Sequence, residues 1–253
     1  MYVFLSPTKT MKKPDLTGDY GNFTTPFFLQ KAEELNSSLK KQNRADLGKL
    51  MKLSDKLAEQ TWYNIQKWGS DDLEKTPAVL TYQGTAFKNL NPQKWSNDIA
   101  KYAQENLIIF SGLYGVLRPY DLVENYRLEM GLKAGFLKES LTLYIYWEPS
   151  LMKYLNSILE NKMVINLASN EYFKTIHTIS KVAKVINCTF FEKSGKEYKI
   201  IANYSKAARG SMASYIMAHK IKNINQLKEY NDLNYTFNAE MSDSQNLVFT
   251  RNH

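Results

Sequence analysis

Short apolar segments rich in β-branched residues recur along this chain, and each runs directly into a polar loop. The three pairs of segment and loop are Val3–Leu5 with Ser6–Thr10, Leu107–Phe110 with Ser111–Gly115, and Met163–Leu167 with Ala168–Phe173. Apolar segments of this length that end at turn residues are typical of buried strands. Helical segments alternate with them, so we predict an α/β fold with a mixed central sheet flanked by helices.

The predicted helices carry apolar residues three or four positions apart. They are a helix that starts at Thr25-Pro26, a helical hairpin over residues 47–61 broken near Ser54, and helices at 95–106, 151–159 and 205–220. Further strands are expected where β-branched and aromatic residues cluster, at 78–82, 141–147, 185–191, 198–203 and 247–250. The strands at 185–191 and 198–203 are predicted to form an antiparallel hairpin. No linker interrupts the alternation, so we expect a single domain over residues 1–253.

The formal charge of the chain is +8, and the positive charge is unevenly distributed. Residues 162–228 contain twelve Lys or Arg and three Glu, whereas residues 229–253 contain four acidic residues and only Arg251 as a cation. A basic segment of this kind favours a polyanionic partner, because lysine and arginine displace condensed counterions from phosphates. A solvated basic surface without a partner explains the same composition.

Several classes of protein lack their usual signatures here. No apolar run approaches the ~20 residues of a membrane span. The apolar part of the N-terminus, MYVFLSPTKT, is too short for a signal peptide, and the single cysteine, Cys188, excludes an internal disulfide. The last two observations favour the cytoplasm. His177, His219 and His253 have no ligand spacing with each other or with Cys188, so we predict no metal site. Glycine-rich nucleotide and dinucleotide motifs are also absent from the sequence, and we expect no cofactor.

The most polar of the strand exits lies within residues 107–131, LIIFSGLYGVLRPYDLVENYRLEMG. Ligands of α/β sheets bind beyond the carboxyl ends of strands, so the three polar loops are expected to converge on one cleft. Candidate phosphate-binding residues are Lys9, Gly112, Gly115, Arg118, Arg127, Lys174, Lys206 and Arg209. Candidate pocket residues are Ser6, Ser111, Tyr114, Asp121, Asn166 and Tyr172, and Glu171 and Lys9 are candidates for acid/base or nucleophilic chemistry.

Five motifs in these regions resemble those of the YaaA family of bacterial peroxide-stress proteins. They are SPTKT at 6–10, LSDKLA at 53–58, SGLYGVLRPYDLVENYRLEMG at 111–131, VINLASNEYF at 164–173 and KAARG at 206–210. The resemblance implies a cytoplasmic protein that is induced by hydrogen peroxide and limits damage from intracellular iron. It also implies DNA binding, a positively charged cleft, a helix-hairpin-helix-like element and an unusual α/β fold, with no established reaction.

The chain departs from the family pattern at residues 83–87. Gln83-Gly84-Thr85-Ala86-Phe87 stands where members commonly carry Lys-Gly-Asp-Val-Tyr, which removes a cation, a carboxylate and a phenol. A catalytic role for those groups would leave this chain inactive, whereas a cleft that only binds phosphates tolerates the change.

Three functions are therefore open. The favoured one is non-enzymatic binding of nucleic acid, double-stranded DNA in particular, with a small phosphate-bearing ligand as a further partner. The alternative is an enzyme acting on a nucleobase or nucleotide, with Asn166 contacting a base edge and Glu171 as acid/base. Direct iron binding is disfavoured, because His, Cys, Asp and Glu do not cluster at ligand spacing.

Overall fold

A central sheet of eight strands organises the fold. The computed structural model describes residues 1–16, 22–137, 141–195 and 197–252. The strands of this sheet are β1 (Tyr2–Leu5), β5 (Leu107–Ser111), β6 (Gly115–Leu117), β8 (Met163–Leu167), β9 (Lys184–Ser194), β10 (Glu197–Lys199), β11 (Thr236–Phe237) and β12 (Asn246–Asn252). Two small ladders lie outside it, one pairing β2 (Thr10–Met11) with β4 (Tyr82–Gln83) and one pairing β3 (Thr76–Pro77) with β7 (Leu122–Val123).

Helices flank the sheet and connect its strands. They are α1 (Leu29–Leu39), α2 (Arg44–Met51), α3 (Asp55–Lys67), α4 (Ala78–Thr81), α5 (Thr85–Leu90), α6 (Asn97–Asn106), α7 (Leu143–Leu159), α8 (Asn170–Phe173), α9 (Ala202–His219) and α10 (Ile224–Leu227). Short 3₁₀ segments lie at Pro92–Lys94, Lys174–Lys181 and Asp232–Asn234. In the described part of the chain, no helix combines the length and the hydropathy needed to cross a membrane. The predicted mixed α/β fold is confirmed.

The strand order of the main sheet is β11-β12-β9-β8-β1-β5-β6, with β10 paired to β9. Strands β12, β9, β8, β1 and β5 run parallel, whereas β6, β10 and β11 are antiparallel to their neighbours. Because β1 lies between β5 and β8, the loops that follow these three strands leave the sheet at the same edge. We call this the carboxyl edge, and the opposite side the amino edge.

Both faces of the central strands are buried, as expected for parallel strands covered by helices. Phe4 on β1 and Phe110 on β5 make an edge-to-face pair with ring centroids 5.3 Å apart. Trp147 of α7 packs against the β5–β6 hairpin, where its indole N–H donates to the Gly112 carbonyl at 2.9 Å. Cys188 is buried beneath α9, and burial raises the pKa of its thiol to about 12, so the thiol stays protonated at neutral pH.

Two predicted strands are wrong, since both segments are helical. Residues 141–147 were expected to be extended, but α7 begins at Leu143 after Thr142, whose hydroxyl accepts from the Ile145 amide. Leu143, Trp147, Leu151, Leu155 and Leu159 are all fully buried at a spacing of four residues. This helical period outweighs the high β propensity of the first residues of α7.

The other wrong strand, at residues 78–82, is mostly the single turn of α4. The Thr81 hydroxyl donates to the Pro77 carbonyl at 2.7 Å and thereby closes the turn. Two helix starts also differ from prediction. Helix α1 begins at Leu29, after a turn in which the Leu29 amide donates to the Pro26 carbonyl, and α9 begins at Ala202 rather than Ser205. Lys206 and Arg209 therefore lie beyond the first turn of α9, away from its free N–H groups.

The remaining predicted elements are present in the structure. Helices α2 and α3 are separated near Ser54 and pack together, with Gly48 facing the Ala58 methyl group, which is consistent with a helical hairpin. Strands β9 and β10 pair in the predicted antiparallel sense, but β10 ends at Lys199, and residues 202 and 203 of the predicted strand belong to α9. Residue 196 of the predicted turn lies outside the described residues. The final strand, β12, covers the predicted residues 247–250.

Candidate phosphate-binding cleft

A cavity of about 340 Å³ lies at the carboxyl edge, beyond the ends of β1 and β8. Its wall consists of the loop after β1, the start of α5, the loop after β8 and one face of α9. The lining residues with polar side chains are Ser6, Thr8, Lys9, Thr10, Thr85, Glu129, Ser169, Glu171, Tyr172, Lys206 and Arg209. Six of the residues predicted from the sequence thus meet in one cavity: Ser6, Lys9, Glu171, Tyr172, Lys206 and Arg209.

Hydrogen bonds between two serines hold the floor of the cavity together. The Ser169 amide donates to Ser6 Oγ at 2.8 Å, and the Ser6 hydroxyl donates to Ser169 Oγ at 3.2 Å. Parallel pairing of β1 with β8 brings the two loops side by side. The floor is thus set by the sheet itself and presents two hydroxyl groups to a ligand.

A close contact between α5 and α9 forms the wall that carries the cations. A Cβ atom built on Gly210 would lie 1.9 Å from the Ala86 carbonyl oxygen, so only glycine allows this approach. Lys206 and Arg209, one helical turn apart on α9, then share the cavity wall with Thr85 and Ala86. The Thr85 hydroxyl donates to Asn203 Oδ1 at 2.8 Å and adds a link between the two helices.

The charges of the cavity are only partly paired. Lys9 Nζ lies 2.7 Å from Glu129 Oε2, and Glu171 Oε1 accepts from the Gly131 amide at 3.0 Å. No carboxylate among the described residues lies within ion-pairing distance of Lys206 or Arg209, although Glu129 and Glu171 line the same cavity. Arg209 Nε is buried without a hydrogen-bond acceptor in the described part of the chain. The α9 wall therefore carries two unneutralised cations.

A neighbouring groove of about 470 Å³ extends from Lys9 along one face of α3. Its lining residues are Lys9, Thr10, Met11, Lys12, Lys13, Leu57, Gln60, Thr61, Asn64, Asn125, Tyr126 and Arg127, and none of them is acidic. We call it the basic groove. Lys13 pairs with Glu74 outside the groove, and Arg127 Nε is buried with no acceptor among the described residues. A small recess lined by Lys9, Arg127, Glu129 and Tyr172, among others, lies between the groove and the cavity.

The two glycines predicted to bind phosphate lie inside the protein. Gly112 faces the Leu128 carbonyl, and Gly115, with φ +71°, faces the Trp147 ring, so side chains cover the turn of the β5–β6 hairpin. Ser111 and Tyr114 are also buried. The Ser111 hydroxyl accepts from the Tyr114 amide and hydrogen-bonds to Tyr126, whose hydroxyl contacts that of Tyr82 at 2.6 Å. This network leads from the core to the wall of the basic groove.

Arg118 and Asp121 lie at the amino edge of the sheet. Arg118 Nη1 donates to the Glu105 carbonyl at 3.0 Å, and its guanidinium lies over the ring of Tyr2, the first residue of β1. Asp121 accepts from the Thr24 hydroxyl and the Arg118 amide, while burial raises the pKa of its carboxyl above the usual value. Neither residue lines the cavity or the basic groove, and the contacts of both side chains are those of structural residues.

Asn166 and Lys174 also have partners outside the cavity. Asn166 Nδ2 donates to Asn187 Oδ1 at 2.9 Å, Asn187 Nδ2 donates in turn to Asn246 Oδ1, and Asn166 Oδ1 accepts from the Ala168 amide. These asparagines form an amide ladder across β8, β9 and β12. The ammonium group of Lys174 lies 4.2 Å from the ring centroid of Tyr144.

The basic segment at residues 162–228 does not form one surface. Lys220 pairs with Asp98, Lys199 pairs with Glu197, and Lys162 lies near the amino terminus, at the amino edge. Of the described cations of this segment, only Lys206 and Arg209 line the cavity, and none lines the basic groove. The sequence reasoning missed Lys12, Lys13, Thr85 and Ser169. Lys9, Lys12 and Lys13 lie within five residues of one another, and this cluster of cations could have indicated the basic groove from the sequence.

The phenol of Tyr172, which lines the cavity, stays protonated at neutral pH. Burial raises the pKa of Tyr172 well above its usual value, and the neighbouring carboxylates Glu171 and Glu129 raise it further. Tyr172 thus presents a neutral hydroxyl beside the two carboxylates. No group of three or more His, Cys, Asp or Glu side chains in the described ranges is arranged to hold a metal ion.

Comparison with known proteins identifies the relatives of this chain. A family model described as "Peroxide stress protein YaaA" matches residues 1–241. The chain belongs to the YaaA family. Curated relatives described only as UPF0246 proteins match over almost their whole length. The one from Clostridium beijerinckii is 40% identical over 263 residues, which cover 99% of this chain and 98% of that protein.

Two further YaaA relatives show the same extent of similarity. A UPF0246 protein from Clostridium perfringens is 38% identical over 257 residues, and one from Francisella tularensis subsp. novicida is 37% identical over 259 residues. Each match covers 99% of this chain and 100% of the relative. The family resemblance found in the motifs is thereby confirmed over nearly the full length.

Proposed function

We propose that this member of the peroxide-stress family binds nucleic acid, double-stranded DNA in particular, through the basic groove. Binding there would shield the DNA of the bacterial cytoplasm from iron-dependent peroxide damage. One observation carries the proposal: among the described residues, the basic groove is lined by Lys9, Lys12, Lys13 and Arg127 and by no acidic side chain. A groove with this charge attracts a phosphate backbone, because each bound phosphate releases condensed counterions.

The polar face of α3 supports the same function. Gln60, Thr61 and Asn64 line the groove, and Asn64 lies one helical turn from each of the other two. Amide and hydroxyl groups of this kind donate to phosphate and sugar oxygens, which fixes the position of a duplex without reading its sequence. Helix α3 lines the groove and packs against α2, and in this proposal the pair would be the counterpart of the helix-hairpin-helix-like element that the family resemblance implies. Binding without sequence preference follows.

Salt dependence is the direct test of this function. We expect the wild-type protein to bind a random duplex at low salt, with an association constant that falls steeply as salt rises, measured by fluorescence anisotropy. Lys12→Gln with Lys13→Gln should lower the salt slope by about two units and the affinity at least about tenfold, or ~1.4 kcal/mol. Both side chains are exposed, so the fold should be retained.

A matched control has the same charge change at the amino edge. Lys181→Gln with Lys184→Gln removes two exposed lysines from the start of β9 and the 3₁₀ segment before it. This variant should keep the affinity and salt slope of the wild type. Equal losses of DNA affinity in both double variants would mean that binding depends on net charge and not on the groove. A wild-type affinity that does not change with salt would refute nucleic-acid binding through the groove.

A second candidate function, an enzyme acting on a nucleobase or nucleotide, is favoured by the cavity. The cavity is more enclosed than the basic groove and holds Glu171 beside the neutral phenol of Tyr172. In acid/base catalysis the Glu171 carboxyl would exchange a proton with the substrate. Glu171→Gln should then abolish protection of peroxide-stressed cells while DNA affinity stays unchanged. Full protection by this variant would exclude catalysis through Glu171.

A further inference from the structure

We propose that the cavity binds a phosphomonoester through Lys206 and Arg209. Such a group occurs at the phosphorylated end of a nucleic-acid strand and on a free mononucleotide. For the strand end, the inference rests on the nucleic-acid binding proposed above. For the mononucleotide it stands independently, because the cavity has its own cations and hydroxyl groups.

The two unpaired cations of the cavity favour an anionic ligand. Lys206 and Arg209 have no carboxylate partner among the described residues, and Arg209 Nε is buried without an acceptor. A buried donor without a protein acceptor is uncommon, and a bound water, ion or ligand can satisfy it. A phosphomonoester carries a charge of about −1.5 to −2 at neutral pH, more than a phosphodiester, and presents three oxygens to these cations. Arginine in particular can bind two of them at once.

Hydroxyl groups around the cavity complement the phosphate, whereas the two lining carboxylates, Glu129 and Glu171, are engaged by Lys9 and by the Gly131 amide. Ser6, Thr8, Ser169 and Thr85 contribute hydroxyl groups on the side of the strand ends and α5. The volume of about 340 Å³ falls within the ~300 to 1,000 Å³ typical of small-molecule sites. The cavity is also more enclosed than the basic groove, which suits a chain end or a free nucleotide better than the middle of a strand. Lys9 lines both sites, so a strand lying in the groove could place its end in the cavity.

Calorimetric titration with inorganic phosphate and with deoxyadenosine monophosphate tests the site directly. We expect both to bind the wild-type protein, and Lys206→Gln with Arg209→Gln to weaken binding at least about tenfold. Lys222→Gln, which removes an exposed lysine at the amino edge, is the control and should bind normally. Deoxyadenosine, which lacks the phosphate, should bind much more weakly than the monophosphate.

A charge placed at the start of α5, on the same wall, gives a second variant that leaves both cations intact. Thr85→Asp adds a carboxylate beside Lys206 and Arg209 and should weaken binding of the monophosphate at least about tenfold. Thr85→Asn, which has nearly the same shape without the charge, is its matched control and should retain most of the affinity. Thermal unfolding of all variants identifies any loss that comes from misfolding.

Two duplexes of identical sequence, with and without terminal phosphates, separate the two sources of the ligand. Tighter binding of the phosphorylated duplex, lost in the Lys206 and Arg209 double variant, assigns the cavity to strand ends. Binding of the monophosphate without binding of either duplex supports the cavity as a mononucleotide site and refutes the proposed function. Equal affinity for both duplexes, with no binding of phosphate or monophosphate, overturns this inference and leaves the proposed function standing.

Discussion

Gly210→Ala is expected to destabilise the protein by about 3 kcal/mol or more, which lowers the thermal midpoint by roughly 6 to 12 °C. The added methyl group would lie 1.9 Å from the Ala86 carbonyl oxygen and 2.7 Å from its carbonyl carbon. Both obstructing atoms belong to the backbone, so no side-chain rotation relieves the clash, and α5 and α9 must move apart. Thermal and denaturant unfolding of the purified variant measure the loss.

The same variant tests how the cavity is built. Separating α5 from α9 would displace Lys206 and Arg209 from Thr85, so phosphate affinity should fall even where the variant remains folded. Gly135→Ala is the control, because no heavy atom of the described residues lies within 4 Å of its added methyl group. It should be stable to within about 0.5 kcal/mol of the wild type. Equal stability of the two variants would show that α5 and α9 are not held at this distance.

Arg251→Met is expected to cost about 3 to 5 kcal/mol, because it removes the guanidinium that donates to both oxygens of a buried carboxylate. Glu192 on β9 is 2% exposed and lies opposite Arg251 in the parallel ladder with β12. Arg251 Nε donates to both carboxylate oxygens at 2.9 and 3.0 Å, and its Nη1 donates to the Leu233 carbonyl. The guanidinium also lies over the rings of Tyr204 and Tyr235, and the Tyr235 hydroxyl donates to Glu192.

A double variant separates the charge from the packing. Arg251→Met combined with Glu192→Gln removes both charges and should recover a large part of the loss, since desolvating an ion pair offsets much of its attraction. Urea unfolding of the two single variants and the double variant yields the coupling energy between the sites. A coupling energy near zero would mean that the stacking of Arg251 on the tyrosines, rather than its charge, stabilises this edge of the sheet.

The sequence could predict part of the cavity because parallel strands share one polar edge. Lys9 and Glu171 follow β1 and β8, and the rule that loops after parallel strands meet at one edge brings them together. The rule failed after β5, because this strand enters a hairpin instead of a crossover. Strand β6 runs back toward the amino edge, so Arg118 ends up beside Tyr2. Local spacing does not reveal whether a glycine turn reverses the chain within the sheet.

The number of cations in a sequence segment also did not predict where positive charge lies on the folded protein. The segment at 162–228 winds through α8, β8, β9 and α9, so its lysines face several sides of the molecule. The basic groove instead combines residues 9–13 with Arg127, which are distant in sequence and close in the fold. Helix α7 illustrates the same limit for secondary structure, since burial of every fourth residue outweighs local β propensity.

Lys9 lines both the cavity and the basic groove, and its ammonium group pairs with Glu129. A ligand that draws Lys9 away from Glu129 in one site changes the charge that the other site presents. Thermodynamic linkage requires this influence to be reciprocal, so that each ligand alters the affinity for the other by the same factor. If both proposed ligands bind, the two sites would behave as one coupled binding system, and Lys9→Met should make their occupancies independent.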